Sequence, residues 1–302
     1  MSLFDSGVRP IVDQHLLDEA AKERNYGAYW SASSAGYCQR KLIFERLGVP
    51  KSVPDDPRKQ RVFSAGHIFH NWIQELTRQA GVSVAQEVEL IDDELMIKGH
   101  FDDLILINEA TDKDGNPLTF DEWYSKTKEH GGTTEEYNKM QSLILYDYKT
   151  VNSRSFMWAK KNDNAMSHFH RMQLGTYMYM IKQNPTNIIR FDDWPKDMLK
   201  NLSEARILKI EKENLMMMEQ QLMWSPELES EVLSYWNSLN EHWNKKTLPQ
   251  CSCAAQEGGF MAKEKYNPYF YNDEPCSMDW FSKCKEAGTI KAYQDKEDAV
   301  IL

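Results

Sequence analysis

Hydrophobic and polar positions follow two rhythms along this chain. In VSVAQEVEL (82–90) and ELMIKGHFDDLILI (94–107) apolar residues tend to alternate with polar ones, which predicts a hairpin turning at Asp92–Asp93. SLILYDYKTV (142–151) is a short apolar strand, and RILKIEK (206–212) predicts another. Elsewhere the spacing is helical. Helices are expected over 14–24, over 36–47 with Ser33 or Ser34 as cap and Gly48 and Pro50 beyond its end, and over 57–79. The third starts on Asp56-Pro57, after the linker-like SVPDDPRKQ, and stops at Gly81. A helical stretch over 155–183 with a break near Asn162–Asn164 and an amphipathic helix over 226–246 complete the set. Residues 110–140, with DKDGNP and HGGTTEE, read as a polar surface insertion, and the chain beyond Pro249 is irregular. Helix, hairpin, strand, helix and strand in that order imply an α/β fold with a mixed central sheet flanked by helices.

Composition narrows the function classes. Hydrophobic residues make up 41% of the 302 and aromatics 12%, enough for a real core and against disorder. No apolar run approaches the ~20 residues that span a bilayer. The N-terminal MSLFDSGVRPIVDQ has no basic segment leading into an apolar stretch, so no signal peptide is expected. The expected location is the cytoplasm of a bacterial cell, with a phage gene as an alternative source. A net charge of −10 argues against a wide basic face that coats duplex DNA, but not against an enzyme that handles one strand near bound metal. Five cysteines, Cys38, Cys251, Cys253, Cys276 and Cys284, suggest metal or catalysis rather than disulfides in a reducing compartment.

Four short pieces carry candidate chemistry. Asp147-Tyr148-Lys149 ends the apolar strand, and the period of two puts its acid and lysine on one face. The carboxylate suits a divalent cation, and the lysine suits a water or phosphate beside it; an exposed ion pair is the plain alternative. Gly99-His100-Phe101-Asp102 lies in the second hairpin strand, where glycine permits close approach and Asp102 offers a second carboxylate. Asp102 or Asp103 read plainly would be a turn or edge residue. On the long helix Gly66 and His70 share a face, so His70 can reach a metal between those carboxylates, with His67 as competitor. Gln173 and Tyr177 share a face of the later helix and could contact substrate. Lys160-Lys161 with Phe156 and Trp158 could guide a strand, or be an ordinary amphipathic helix. Leu215-Met216-Met217-Met218 and Met223 read as core or interface packing, and His168 and His170 should face apart.

Gly-x3-His, Gly-x-x-Asp, Asp-x-Lys and Gln-x3-Tyr in this order, over roughly residues 60–180, resemble the signature of RecB-like nucleases of the PD-(D/E)XK superfamily. Gly36-Tyr37-Cys38-Gln39-Arg40-Lys41 resembles the entry cysteine motif of that family's iron–sulfur branch, which includes CRISPR-associated RecB-like exonucleases and phage relatives. The resemblance implies a restriction-endonuclease-like core and a single nuclease domain over 1–302. Within it lie a catalytic core at 51–210 and a cysteine-held cluster module from 30–50 plus 247–290. It implies Mg2+ or Mn2+ held by His70, Asp102, Asp147 and the Tyr148 backbone carbonyl, with Lys149 positioning a water or acting as its base. Glu87 or Glu89 resembles a further acidic position of the family.

A [4Fe–4S] cluster would sit on Cys38, Cys251, Cys276 and Cys284, with Cys253 as substitute. Four downstream cysteines, with 22 residues between Cys253 and Cys276, leave zinc as the alternative. The implied activity is a DNA exonuclease acting on single-stranded ends, without a membrane partner. A non-catalytic nucleic-acid-binding or assembly subunit and a restriction-type endonuclease are the competing classes.

Overall fold

The computed structural model describes residues 7–22, 27–48, 56–108, 141–161, 166–183 and 202–249, with positions 118, 122, 125 and 199 between them. In chain order these form α1 (Val8–Ala21), β1 (Trp30–Ser31), α2 (Gln39–Arg46), α3 (Pro57–Gln79), β2 (Ser83–Asp92) and β3 (Ile97–Asn108). After them come β4 (Gln141–Val151), α4 (Ser153–Lys161), α5 (His168–Gln183), β5 (Glu204–Glu211), β6 (Met217–Met223) and α6 (Pro226–Asn244). The described residues fall into two compact units. One draws on Met1–Trp30, Gly36–Ile68 and Tyr235–Leu302, the other on Ser31–Ala35 and Phe69–Ser234.

Among the described residues the sheet is mixed and has six strands. Its order is β1-β3-β4-β5-β6, with β2 also paired to β3. β2–β3, β3–β4 and β5–β6 are antiparallel, while β4–β5 is parallel. The parallel pair follows from the two helices between β4 and β5, since a parallel neighbour needs a crossover connection. On one face of the sheet Ile105, Ile144, Tyr146, Tyr148 and Ile210 pack with Ile73 of α3, joined by Phe69, Val82 and Leu208. α5 is buried continuously from Met172 to Ile181. Its Gly175 leaves room for α6: a Cβ there would come within 2.8 Å of Leu228.

Local chemistry explains most boundaries. Asp56 Oδ1 accepts the Arg58 N–H at 2.8 Å, capping α3, and Gly81 at φ 70° turns the chain out after it. The hairpin turn occupies Asp93–Met96, directly after Asp92. The helical stretch after β4 divides into α4 and α5, either side of positions 162–165.

Four expectations change. α1 begins at Val8 rather than at 14. α2 begins only at Gln39, with Cys38 in the cap position. Ser33 and Ser34 lie in a 3-10 turn, where the Ser34 hydroxyl donates back to the Ser31 carbonyl instead of accepting from a helix. Of the two readings of the methionine run, core packing does not hold: Met217–Met223 forms the edge strand β6, and Leu215, Met216, Met217 and Met223 are exposed.

The unit containing α2 is pinned by aromatic packing. The Arg46 guanidinium lies 4.2 Å from the Trp30 ring and 4.4 Å from the Trp243 ring. Trp30 Nε1 donates to Asn240 Oδ1 at 2.7 Å, and the Tyr235 hydroxyl to the Tyr37 carbonyl at 2.8 Å. Cys38 is buried beside this contact. Cys251, Cys253, Cys276 and Cys284, and with them the expected cluster, lie outside the described residues.

Candidate active site

The ladder between β3 and β4 runs from Asn108–Gln141 to Asp103–Tyr146 and ends there. Just past its end the Tyr148 amide donates to the Asp102 carboxylate, at 2.6 Å from Oδ2. Side chains on the strand ends gather at this point. His70 of α3 brings Nε2 to 2.5 Å from the same Asp102 oxygen, and its Nδ1 lies 3.6 Å from Glu87 Oε1. One ligand atom from each of His70, Glu87 and Asp102 falls within 4.8 Å of the others, although the three come from three separate elements. One turn beyond His70, Gln74 donates to Glu87 Oε1 at 2.7 Å and to the Asp102 carbonyl at 2.9 Å. Gln74 escapes a motif search; its only sequence signal is the four-residue step from His70.

Of the two acids left open on β2, Glu87 joins this group. Glu89 lies 3.2 Å from Lys98 and 3.7 Å from His100. The separation follows from register: Gln86 and Val88 pair with Asp103 and Phe101, which leaves Glu87 opposite Asp102, whereas Glu89 pairs with His100; Glu87 itself has φ 51°, a left-handed conformation uncommon outside glycine. His67 is exposed and stands outside the group.

Asp147 and Lys149 share a strand face, as a period of two requires. The Lys149 ammonium is 2.9 Å from Asp147 Oδ1 and 2.8 Å from Oδ2. Gln173 adds an amide donor to Oδ1 at 3.0 Å. Asp147 Oδ2, though close to the ammonium, is buried and receives no well-directed hydrogen bond among the described residues. Gln173 and Tyr177, expected at the substrate, are both buried. Gln173 holds the carboxylate, and Tyr177 packs on Gly99, where a Cβ would come within 2.8 Å of Ala32 and 3.1 Å of the Tyr177 ring. The close approach expected of Gly99 is therefore real.

The electrostatics describe a site with more acid than base. Burial raises the Asp147 carboxyl to about 6, Lys149 pulls it down, and the Asp102 charge raises it further. Burial pulls Lys149 down, but attraction to Asp147 and Asp102 leaves it above its ordinary value. His70 follows the same logic: burial lowers it, and the Asp102 hydrogen bond and charge more than offset that. Acid and base move in the same direction for different reasons: burial, then the Asp102 charge, raises the Asp147 carboxyl, whereas Lys149 and His70 are held up by the carboxylates beside them. Two carboxylates and an imidazole within 4.8 Å of one another, with the Asp147 carboxyl close enough to be raised by the Asp102 charge, suit a hard divalent cation.

No protein-family model and no curated protein matches this sequence. Among solved structures the chain is similar to the crystal structure of SSO0001, at 13% identity and a TM-score of 0.41, over 88% of this chain and 96% of the other. It is also similar to an alkaline exonuclease, LHK-Exo, from Laribacter hongkongensis, at 13% identity and a TM-score of 0.39, over 77% and 97% of the two chains. The complex of LHK-Exo with dAMP matches at 13% identity and a TM-score of 0.40, over 73% and 92%. At this identity and these scores, none of the three assigns a role to any side chain here.

Proposed function

We propose that this chain is a divalent-metal-dependent nuclease that hydrolyses DNA phosphodiesters from single-stranded ends, with Mg2+ or Mn2+ as its metal. The observation that carries this reading is the meeting of His70, Glu87 and Asp102 within 4.8 Å, next to the Asp147–Lys149 pair. His70, Glu87, Asp102 and Asp147 would hold the cation. A divalent ion in such a site lowers the pKa of water and neutralises charge growing on phosphate.

The protein's own groups supply the positioning. Asp102 is held by the Tyr148 N–H and His70, and Asp147 by Gln173 and Lys149. With its pKa raised, Lys149 is an ammonium at neutral pH. It steadies the phosphate and the attacking water as a hydrogen-bond donor rather than as a base. Histidine among the ligands favours Mn2+ alongside Mg2+.

The test is cleavage of oligonucleotides labelled at the 5′ or the 3′ end, single- and double-stranded, with Mn2+ and with EDTA. Mn2+-dependent shortening of single strands from one end is expected. Absence of cleavage under every condition would overturn the reading and leave a non-catalytic subunit. An iron–sulfur cluster on Cys38, Cys251, Cys276 and Cys284 belongs to the same reading. Protein purified without oxygen should then be brown and hold iron and acid-labile sulfide, whereas a colourless preparation with about one zinc per chain would favour zinc.

A further inference from the structure

The helix that follows the Asp147–Lys149 strand has two faces of different kinds. On the inner face Phe156 and Ala159 are buried, and the Ser153 hydroxyl donates to Glu211 Oε1 at 2.6 Å. Lys149 pairs with Lys209 and Val151 with Glu211, so Glu211 leaves the sheet on the face that carries Asp147 and Lys149. The start of α4 is thereby fixed on the site's side of the sheet. Phe156, grouped by sequence with the lysines, belongs to this inner face. The outer face holds Arg154, Trp158 and Lys161, spaced by four and three residues and so aligned along the helix, with Met157 and Lys160 beside them. All five are exposed, Trp158 by 55%.

Helix stability does not account for this outer face. The macrodipole favours Lys160 and Lys161 in the last turn but disfavours a cation in the first, where Arg154 stands. Other cations near the site meet carboxylates, Lys149 at Asp147 and Arg171 at Glu231. Lys160 and Lys161 meet none among the described residues, although the chain carries a net charge of −10. From Tyr148 to Phe191 seven Lys or Arg stand against a single acid, Asp163. The positive charge of an acidic chain is thus gathered just after the strand that carries the site. Cations along a helix with an exposed indole among them fit a polyanion that also presents flat rings. A base in a duplex has its faces covered by its neighbours, so a single strand fits best.

We propose that the outer face of α4 binds the single-stranded DNA that leads to the cleavage site, Trp158 stacking on a base while Arg154, Lys160 and Lys161 hold phosphates. The proposal rests on the nuclease reading above and adds to it the path of the substrate, from the Asp147–Lys149 end of β4 along α4. These side chains touch the DNA away from the reacting phosphate, so they set affinity and not the rate of the chemical step.

The test measures binding apart from cleavage: fluorescence anisotropy of a labelled oligothymidylate, and of a labelled DNA duplex, titrated in EDTA with full-length wild type, Trp158→Ala, Trp158→Phe and the double variant Lys160→Gln/Lys161→Gln. Trp158→Ala should raise Kd for the single strand about tenfold or more and leave the duplex within about twofold, and Trp158→Phe should keep most of the affinity. The double lysine variant should flatten the dependence of log Kd on log salt by about one unit. Melting temperatures should hold, because the substitutions are at exposed positions. An unchanged Kd in Trp158→Ala, equal loss on single strand and duplex, or an unaltered salt slope in the double variant would overturn the proposal and leave the nuclease reading in place. Binding through α4 by a wild type that cleaves nothing with Mn2+ would support this DNA path and overturn the nuclease reading alone.

Discussion

Asp102 and Asp103 are chain neighbours on β3, yet alternation sends them to opposite faces of the sheet, and their surroundings differ in kind. Asp103 is fully buried and receives four hydrogen bonds. Thr77 Oγ1 and Ser83 Oγ each donate at 2.6 Å, the Tyr148 hydroxyl at 2.9 Å and Gln86 Nε2 at 3.0 Å. Both oxygens are hydrogen-bonded within the fold, three donors on Oδ2 and one on Oδ1, and the residue ties β3 to α3, β2 and β4. Asp102 is partly exposed and shares a single oxygen between His70 and the Tyr148 amide, with other carboxylates close by. Asp147, on the same side as Asp102, is buried with one oxygen lacking a directed bond. A saturated carboxylate is structural, because any ligand would have to break bonds to reach it. Under-saturated carboxylates crowded together store repulsion that a cation relieves.

The largest effect should come from removing the pair beside the proposed metal. Asp147→Ala and Lys149→Ala should each lower cleavage by roughly a thousandfold or more while the circular dichroism spectrum stays native, as expected for groups that act on charge developing at the phosphate. Residual activity near wild type in either variant would erase the distinction between the two faces.

The opposite face should respond in stability. Asp103→Ala leaves the Thr77, Ser83, Gln86 and Tyr148 donors without their acceptor, and denaturant unfolding should show a loss of about 3–5 kcal/mol. A change below about 1 kcal/mol would mean that this network contributes little.

Gln173 is predicted to lie between these extremes. It holds Asp147 from within the fold, so Gln173→Leu should reduce kcat about tenfold or more without a matching rise in KM.

The smallest effect is on pH and stability without metal. The folded Asp147 carboxyl titrates near 6, against about 4 in an unfolded chain. Between these values the folded state holds the extra proton, so its contribution to stability falls as pH rises through that window. At pH 7 in EDTA, Asp147→Asn should melt about 2–4 °C above wild type, and adding Mn2+ should close or reverse the gap by stabilising only the wild type.

How much of this was legible from residues alone depended on how local the signal was. The hairpin, α3 and β4 could be read because alternation, the Asp56-Pro57 start and the Gly81 stop are written in consecutive residues. β6 could not, since MMEQQLM is rich in flexible methionine and has no clear strand rhythm; it pairs because β5 offers it an edge. The order of His70, Asp102, Asp147 and Lys149 was legible, and the fold brings these residues to one place. The choice of Glu87 over Glu89 was not, because it turns on which residue of β3 each faces, a register set by the pairing of two strands. Nor was the contrast between Asp102 and Asp103. It is made by Thr77, Ser83, Gln86 and Tyr148, whose arrival at one carboxylate depends on tertiary packing.

The most direct measurement sets the two neighbours against each other: Mn2+-dependent cleavage of one end-labelled oligonucleotide by Asp102→Asn and Asp103→Asn, assayed side by side at a temperature where both are folded. Asp102→Asn should be inactive, lower than wild type by about a thousandfold, while Asp103→Asn, though less stable, should keep its rate per folded molecule within about threefold. Cleavage by Asp102→Asn at the wild-type rate, or equal loss in both variants, would contradict the assignment of the Asp102 side as the catalytic one.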